Sequence, residues 1–173
     1  MKRTISKVAV LGSGIMGSRI ACHFANIGVE VLLLDMAPKE SSDEQSTGVT
    51  VAIASKAVRN QIVNAALETA VKSNPSPLFS KKALSKITTG NFEDNMPDIA
   101  SCDWVIEVVV ERLDIKKVIY DQVEKFRKAG TLVTSNTSGI PIHLMAEDRS
   151  EDFKAHFCGS HFFNPPRYLR LLE

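Results

Sequence analysis

The chain has 173 residues, 44% hydrophobic and 24% charged, which suits one globular domain with a buried core and argues against a disordered chain. Its 21 basic and 20 acidic side chains leave a net charge of +1, so no basic surface tracks phosphates and a nucleic-acid partner is not expected. Apolar runs are short and broken by Asp35, Glu107 and Glu111, so none spans a bilayer; the glycines at 12, 14 and 17, with no small-residue cleavage site after them, argue against an export signal. Cys22, Cys102 and Cys158 are odd in number, far apart and without metal-ligand spacing, which predicts reduced thiols in a cytoplasmic protein and no metal site.

In chain order, residues 8–11 read as a short buried strand. A helix follows over 15–26, with Ile15, Ile20, Phe24 and Ile27 at roughly helical intervals and Gly28 as its stop. Residues 31–34 form the next strand, and the polar, turn-rich stretch over 36–48 reads as a loop. Val51, Ala54, Val58, Ile62, Ala65 and Thr69 recur on one side of a long helix that Asn74, Pro75 and Pro77 terminate. A strand is expected at 87–89. Residues 104–110 are nearly all apolar and β-branched, as in a parallel strand covered on both faces, with Glu107 the interruption. A helix over 113–126, a strand at 132–135 and a short helix with Pro141 as its first residue come next. Two apolar segments, 157–163 and 169–172, complete the series. Alternating strands and helices predict a single α/β domain over 1–173, a Rossmann-type, doubly wound, mostly parallel sheet with helices on both faces. No repeat at solenoid spacing is present.

The motif Gly12-Ser13-Gly14-Ile15-Met16-Gly17 lies between a strand and a helix inside a βαβ unit, with Asp35 ending the second strand. In such a motif the first glycine permits a tight turn, the second lets backbone approach a pyrophosphate, and the third lets helix and strand pack closely. Backbone N–H groups and the positive end of the helix then face the phosphates. Asp35 can accept both adenosine ribose hydroxyls. A 2′-phosphate would meet a like charge worth about 4 kcal/mol at ~4 Å and an effective dielectric near 20, so NAD is expected over NADP.

The fold does not name a reaction, but three downstream stretches narrow it. WVIEVVVERLDIKK carries Glu111 and Lys116 just past a strand, either as ligand contacts or as an ion pair at a helix start. SNTSGIP sets Asn136, Thr137 and Ser138 in a turn, where they grip a substrate oxygen or only serve the turn. SHFFNPPRYLRLLE places His161 and Asn164 after an apolar strand; if the two closing segments pair, Glu173 reaches the His161 ring. A histidine beside apolar residues is otherwise an ordinary core residue.

Together these stretches resemble the L-3-hydroxyacyl-CoA dehydrogenase family over essentially the whole chain: GSGIMG with Asp35, IEVVVERLDIKK, SNTSG and HFFNPP, in family order, with a glutamate twelve residues after the histidine as the most specific element. The resemblance implies oxidation of a 3-hydroxyacyl-CoA to a 3-ketoacyl-CoA in fatty-acid β-oxidation. By it, residues 12–17 and Asp35 hold NAD, Glu111 and Lys116 line the nicotinamide-ribose side, and Asn136 and Ser138 approach the nicotinamide. Ser138 and Asn164 orient the substrate, and His161 with Glu173 forms the catalytic pair. The long helix, NPSPLF and NPPRYLRLLE look closest to the dehydrogenase part of long bacterial β-oxidation proteins. The resemblance further implies a helical domain outside this chain that closes over the acyl-CoA and makes a homodimer. Gly139 stands where many members have a second serine, and Arg167-Tyr168 departs from the commoner ending, so acyl length is left open. Two other readings stay open: the NAD domain of another hydroxyacid dehydrogenase, and a non-catalytic nucleotide-binding module.

Overall fold

A computed structural model describes residues 3–38, 56–169 and 171–173. Among these, β1 (Lys7–Leu11), β2 (Glu30–Asp35), β3 (Ile87–Asn91), β4 (Trp104–Glu107), β5 (Leu132–Ser135) and β6 (Phe157–Gly159) form one sheet in the order β3-β2-β1-β4-β5-β6. Every pairing is parallel. The order reverses between β1 and β4, and in open α/β sheets the crevice beyond the carboxyl ends at such a switch point is where ligands bind.

Alternate residues of each strand feed opposite faces. Val8, Val10, Val31, Leu33 and Ile106 pack under α1 (Ile15–Asn26) and Val63 and Leu67 of the helix Gln61–Lys72. Ala9, Leu11, Leu32, Leu34, Val105 and Val133 pack under the helix Leu113–Phe126, with Met145 and Phe153 from two short helices, Ile142–Ala146 and Glu151–Ala155. Because both faces are covered, the central strands read as unbroken apolar runs rather than as alternation.

Several expectations need correction. The long helix is not continuous where it is described: α2 (Lys56–Arg59) and α3 (Gln61–Lys72) are separated by Asn60, at φ −100° and ψ 14°. Asn60 is only 3% exposed and accepts a hydrogen bond from the Asn91 side-chain amide at 2.8 Å. α3 buries Val63, Leu67 and Ala70, while Val58, Ala65 and Thr69 face outward. Val51, Ala54 and most of the expected 36–48 loop lie outside the described residues. On α1, Ile20 and Phe24 are buried, each worth about 1.5–3 kcal/mol, whereas Ile15 and Ile27 are 71% and 63% exposed at its two ends. Strand β4 stops at Glu107 rather than continuing to Val110, because the Glu107 carboxylate accepts the Val109 N–H at 2.7 Å and turns the chain. Pro141 caps α6 (Ile142–Ala146) from one position before its first residue. Further short elements were not anticipated: α4 (Phe92–Asn95), α7 (Glu151–Ala155) and 3-10 turns over Lys81–Lys86 and Met96–Ser101. The helix predicted at 113–126 is α5 (Leu113–Phe126). No described helix is long and apolar enough to cross a membrane.

Candidate active site

The glycine-rich turn leaves the carboxyl end of β1. Gly12 adopts φ +104°, and a Cβ there would lie 2.6 Å from the Val108 carbonyl oxygen. A Cβ on Gly17 would lie 1.8 Å from the Gly12 carbonyl oxygen, so only glycine lets α1 start against the turn. Gly14 is different: a Cβ there would meet nothing within 4 Å. The space in front of Gly14 is open, and α1 begins with no side-chain cap and no acidic residue in its first turn. Its first N–H groups therefore point, uncapped, at the place where an anion is best held.

Asp35 closes this corner from the end of β2. Its Oδ2 accepts the Ser13 backbone N–H at 2.6 Å and the Ser13 hydroxyl at 2.5 Å, and its Oδ1 accepts the Met36 N–H at 2.7 Å.

Beyond β4 and β5, a chain of charges ties the two loops together. Lys116 Nζ donates to both carboxylate oxygens of Glu107, at 2.8 and 2.9 Å, and stands 3.3 Å from Glu111 Oε2. Glu111 Oε1 in turn accepts the Ser138 and Gly139 backbone N–H groups at 3.2 and 3.0 Å and the Thr137 hydroxyl. Burial is the largest single influence on the Glu111 carboxyl and pushes its pKa up. The bonds from Thr137 and Gly139 and the charge of Lys116 together outweigh it and hold the value down at about 2. Glu111 is therefore a fixed anion clamped to the turn that carries Ser138. Lys116 belongs to the same clamp, as the ion pair the sequence suggested, with Glu107 as a second partner.

Glu107, Tyr120 and Ser135 escaped the sequence reading. The Tyr120 and Ser135 hydroxyls both donate to Glu107 Oε2, at 2.8 and 2.6 Å, inside a site where none of the three is exposed. Burial first, and then the Glu107 carboxylate, push the Tyr120 hydroxyl well above its usual pKa. The available signal was one acid in an otherwise apolar buried strand, which must find partners.

The closing segments do pair. Phe162 and Leu172 form an antiparallel bridge, and His161 and Glu173 exchange backbone hydrogen bonds at 2.6 and 3.2 Å. Their side chains face each other with His161 Nδ1 3.7 Å from Glu173 Oε2. Asn136 joins this segment to β5, its Oδ1 accepting the Phe162 N–H at 2.8 Å. An open cleft of about 360 Å³ is lined by His161, Glu173, Thr137, Ser138 and Gly139 together with Ile140, Pro141, Ile142 and Gly159. Asn164 does not line it. Its Oδ1 accepts from Arg19 on α1 at 2.8 Å, a contact with no sequence signal.

The family model for the 3-hydroxyacyl-CoA dehydrogenase NAD-binding domain matches residues 7–173. The chain belongs to this family. A probable 3-hydroxyacyl-CoA dehydrogenase of Bacillus subtilis is 52% identical over all of this chain, and a putative fatty acid oxidation complex trifunctional enzyme of Rickettsia felis is 40% identical over all of it. The NAD-binding domain spans 22% of the length of each of these two relatives. The crystal structure of 3-hydroxybutyryl-CoA dehydrogenase from Escherichia coli superposes with a TM-score of 0.67 at 28% identity, over 98% of this chain and 32% of that one. The cofactor of the domain is NAD. The residues present fit it: the open space over Gly14, the uncapped start of α1 and a carboxylate at the end of β2 lie together at the switch point.

Proposed function

We propose that this chain is the cofactor-binding part of an L-3-hydroxyacyl-CoA dehydrogenase, oxidising the 3-hydroxyl of an acyl-CoA thioester to a ketone. Residues 12–17 hold the NAD pyrophosphate, Asp35 the adenosine ribose, and Glu111, Asn136 and Ser138 the nicotinamide side, with the buried Lys116 bracing Glu111. Bound NAD supplies the hydride acceptor. The observation that carries the reading is the meeting of His161, Glu173 and Ser138 around one cleft at the carboxyl edge of the sheet.

With Nδ1 turned toward Glu173, the ring atom left for substrate is Nε2. An Nδ1–H directed at the carboxylate fixes that tautomer and stabilises the imidazolium that forms as the hydroxyl proton arrives. The 3.7 Å gap exceeds a hydrogen bond, as is common for catalytic pairs before substrate tightens them. Ser138, on a turn clamped by Glu111, holds the substrate oxygen; Asn164, outside the cleft and bonded to Arg19, braces the segment that carries His161. A helical domain outside this chain, as the family resemblance implies, provides the acyl-CoA wall and a homodimer contact; the relatives, of which this chain spans 22%, are long enough to carry one. Three free thiols support a cytoplasmic location.

The test is NADH formation from L-3-hydroxybutyryl-CoA by the natural protein that carries this chain. Turnover is expected with NAD and should fall about a hundredfold or more in His161→Gln, with NAD affinity nearly unchanged. Near wild-type turnover in that variant would mean another group is the base.

A further inference from the structure

Resting on the reading of Asp35 as the ribose acceptor, we infer that Ser13 is a specificity-determining residue, whose hydroxyl clamps the Asp35 carboxylate and so enforces NAD over NADP.

Ser13 lies inside the glycine-rich turn and is 1% exposed. Its backbone N–H and its hydroxyl both donate to Asp35 Oδ2, and the Met36 N–H donates to Oδ1. A carboxylate offers about four acceptor positions. The clamp fills three of them and leaves one, on Oδ1. The turn that bears the clamp is itself braced on both sides. The Gly12 N–H donates to the Leu34 carbonyl at 2.8 Å, fixing the turn to the residue before Asp35, and the buried Ser18 hydroxyl donates to the Ser13 carbonyl.

Any residue at position 13 supplies the backbone N–H. Only a hydroxyl-bearing one adds the second donor. An aspartate held by fewer bonds can rotate its charge away from a 2′-phosphate, or trade it for a counterion. One held by Ser13 cannot move without breaking a charge-assisted hydrogen bond. Its negative charge therefore stays where the extra phosphate of NADP would arrive.

The experiment measures dissociation constants for NADH and NADPH by fluorescence titration in the natural protein, in Ser13→Ala, Ser13→Thr and Asp35→Ala, and in the Ser13→Ala, Asp35→Ala double variant. Ser13→Ala should narrow the NADH preference about tenfold, and Ser13→Thr, which keeps the hydroxyl, should retain it. Ser13→Gly deletes the same hydroxyl and serves if the alanine variant does not fold. In the Asp35→Ala background, Ser13→Ala should leave the ratio unchanged, because the hydroxyl has lost its target. A wild-type preference for NADH that survives intact in Ser13→Ala overturns the Ser13 inference alone, as does an equal loss with and without Asp35. A wild type that binds NADPH as tightly as NADH overturns the Asp35 reading beneath it.

Discussion

Lys116 and Glu107 form a buried ion pair at the carboxyl edge of the sheet, with Nζ 2.8 Å from Oε1 and the two side chains 1% and 0% exposed. One end of the pair is fixed on α5 and the other on the last residue of β4. Lys116 also reaches Glu111. A single ammonium thus neutralises one deeply buried and one half-open carboxylate, and joins the end of β4 to the turn after β5.

Removing that ammonium leaves Glu107 with only the neutral donors of Tyr120, Ser135 and Val109. Lys116→Met should therefore destabilise the chain by about 3–5 kcal/mol, the cost of an uncompensated buried charge. Combining it with Glu107→Leu should recover much of the loss, since the apolar pair no longer needs neutralising. Urea unfolding of the three proteins decides it. An unchanged midpoint in Lys116→Met would show that its charge does not hold the strand end.

Two glycines of one motif should separate folding from cofactor binding. Gly14→Ala places its methyl in open space, so the melting temperature should stay near that of the wild type while NAD affinity drops tenfold or more, on the order of 1.4 kcal/mol. Gly17→Ala drives its methyl into the Gly12 carbonyl and should cost the fold itself. Thermal melts with and without NAD distinguish the cases. Undiminished NAD binding by Gly14→Ala would move the phosphate site elsewhere.

Acid should loosen the turn that carries Ser138. The Glu111 carboxyl has its pKa lowered to about 2 in the folded chain, against 4.5 ordinarily. A depressed folded-state value means that Glu111 contributes stability fully above about pH 4.5, and that this contribution is lost as pH falls through about 2. Because the side chain is 43% exposed, solvent screening reduces the effect to about 1 kcal/mol. Glu111→Gln should be less stable than the wild type at neutral pH, with the gap closing between about pH 4.5 and about pH 2. Urea unfolding at stepped pH measures the gap, and a gap independent of pH would exclude Glu111 ionisation as its source.

The family, the βαβ unit and the cofactor corner were legible because they rest on contacts between near neighbours in the chain. An apolar run, a glycine turn at Gly12 and a packing constraint at Gly17 need little beyond local backbone geometry. The acid at the end of β2 follows from the length of one helix and one strand. The pairing of the two closing segments was equally near at hand, since Phe162 and Leu172 stand only ten positions apart in the chain.

What the linear pattern missed was decided by partners far away in sequence. The start of α3 is marked by Asn60, which Asn91 holds across 31 residues. The role of Glu107 was set by Lys116, Tyr120 and Ser135, which converge only when α5 folds back over the sheet and β5 lies beside β4. Arg19 on α1 holds Asn164 from 145 positions away. The sequence by itself determined the layers, the parallel sheet and the glycine turn with its acid, because helical and strand periodicity decide which residues leave water. Tertiary structure alone decided which buried polar groups meet, because such a group must find its partner wherever the fold brings one within hydrogen-bond reach.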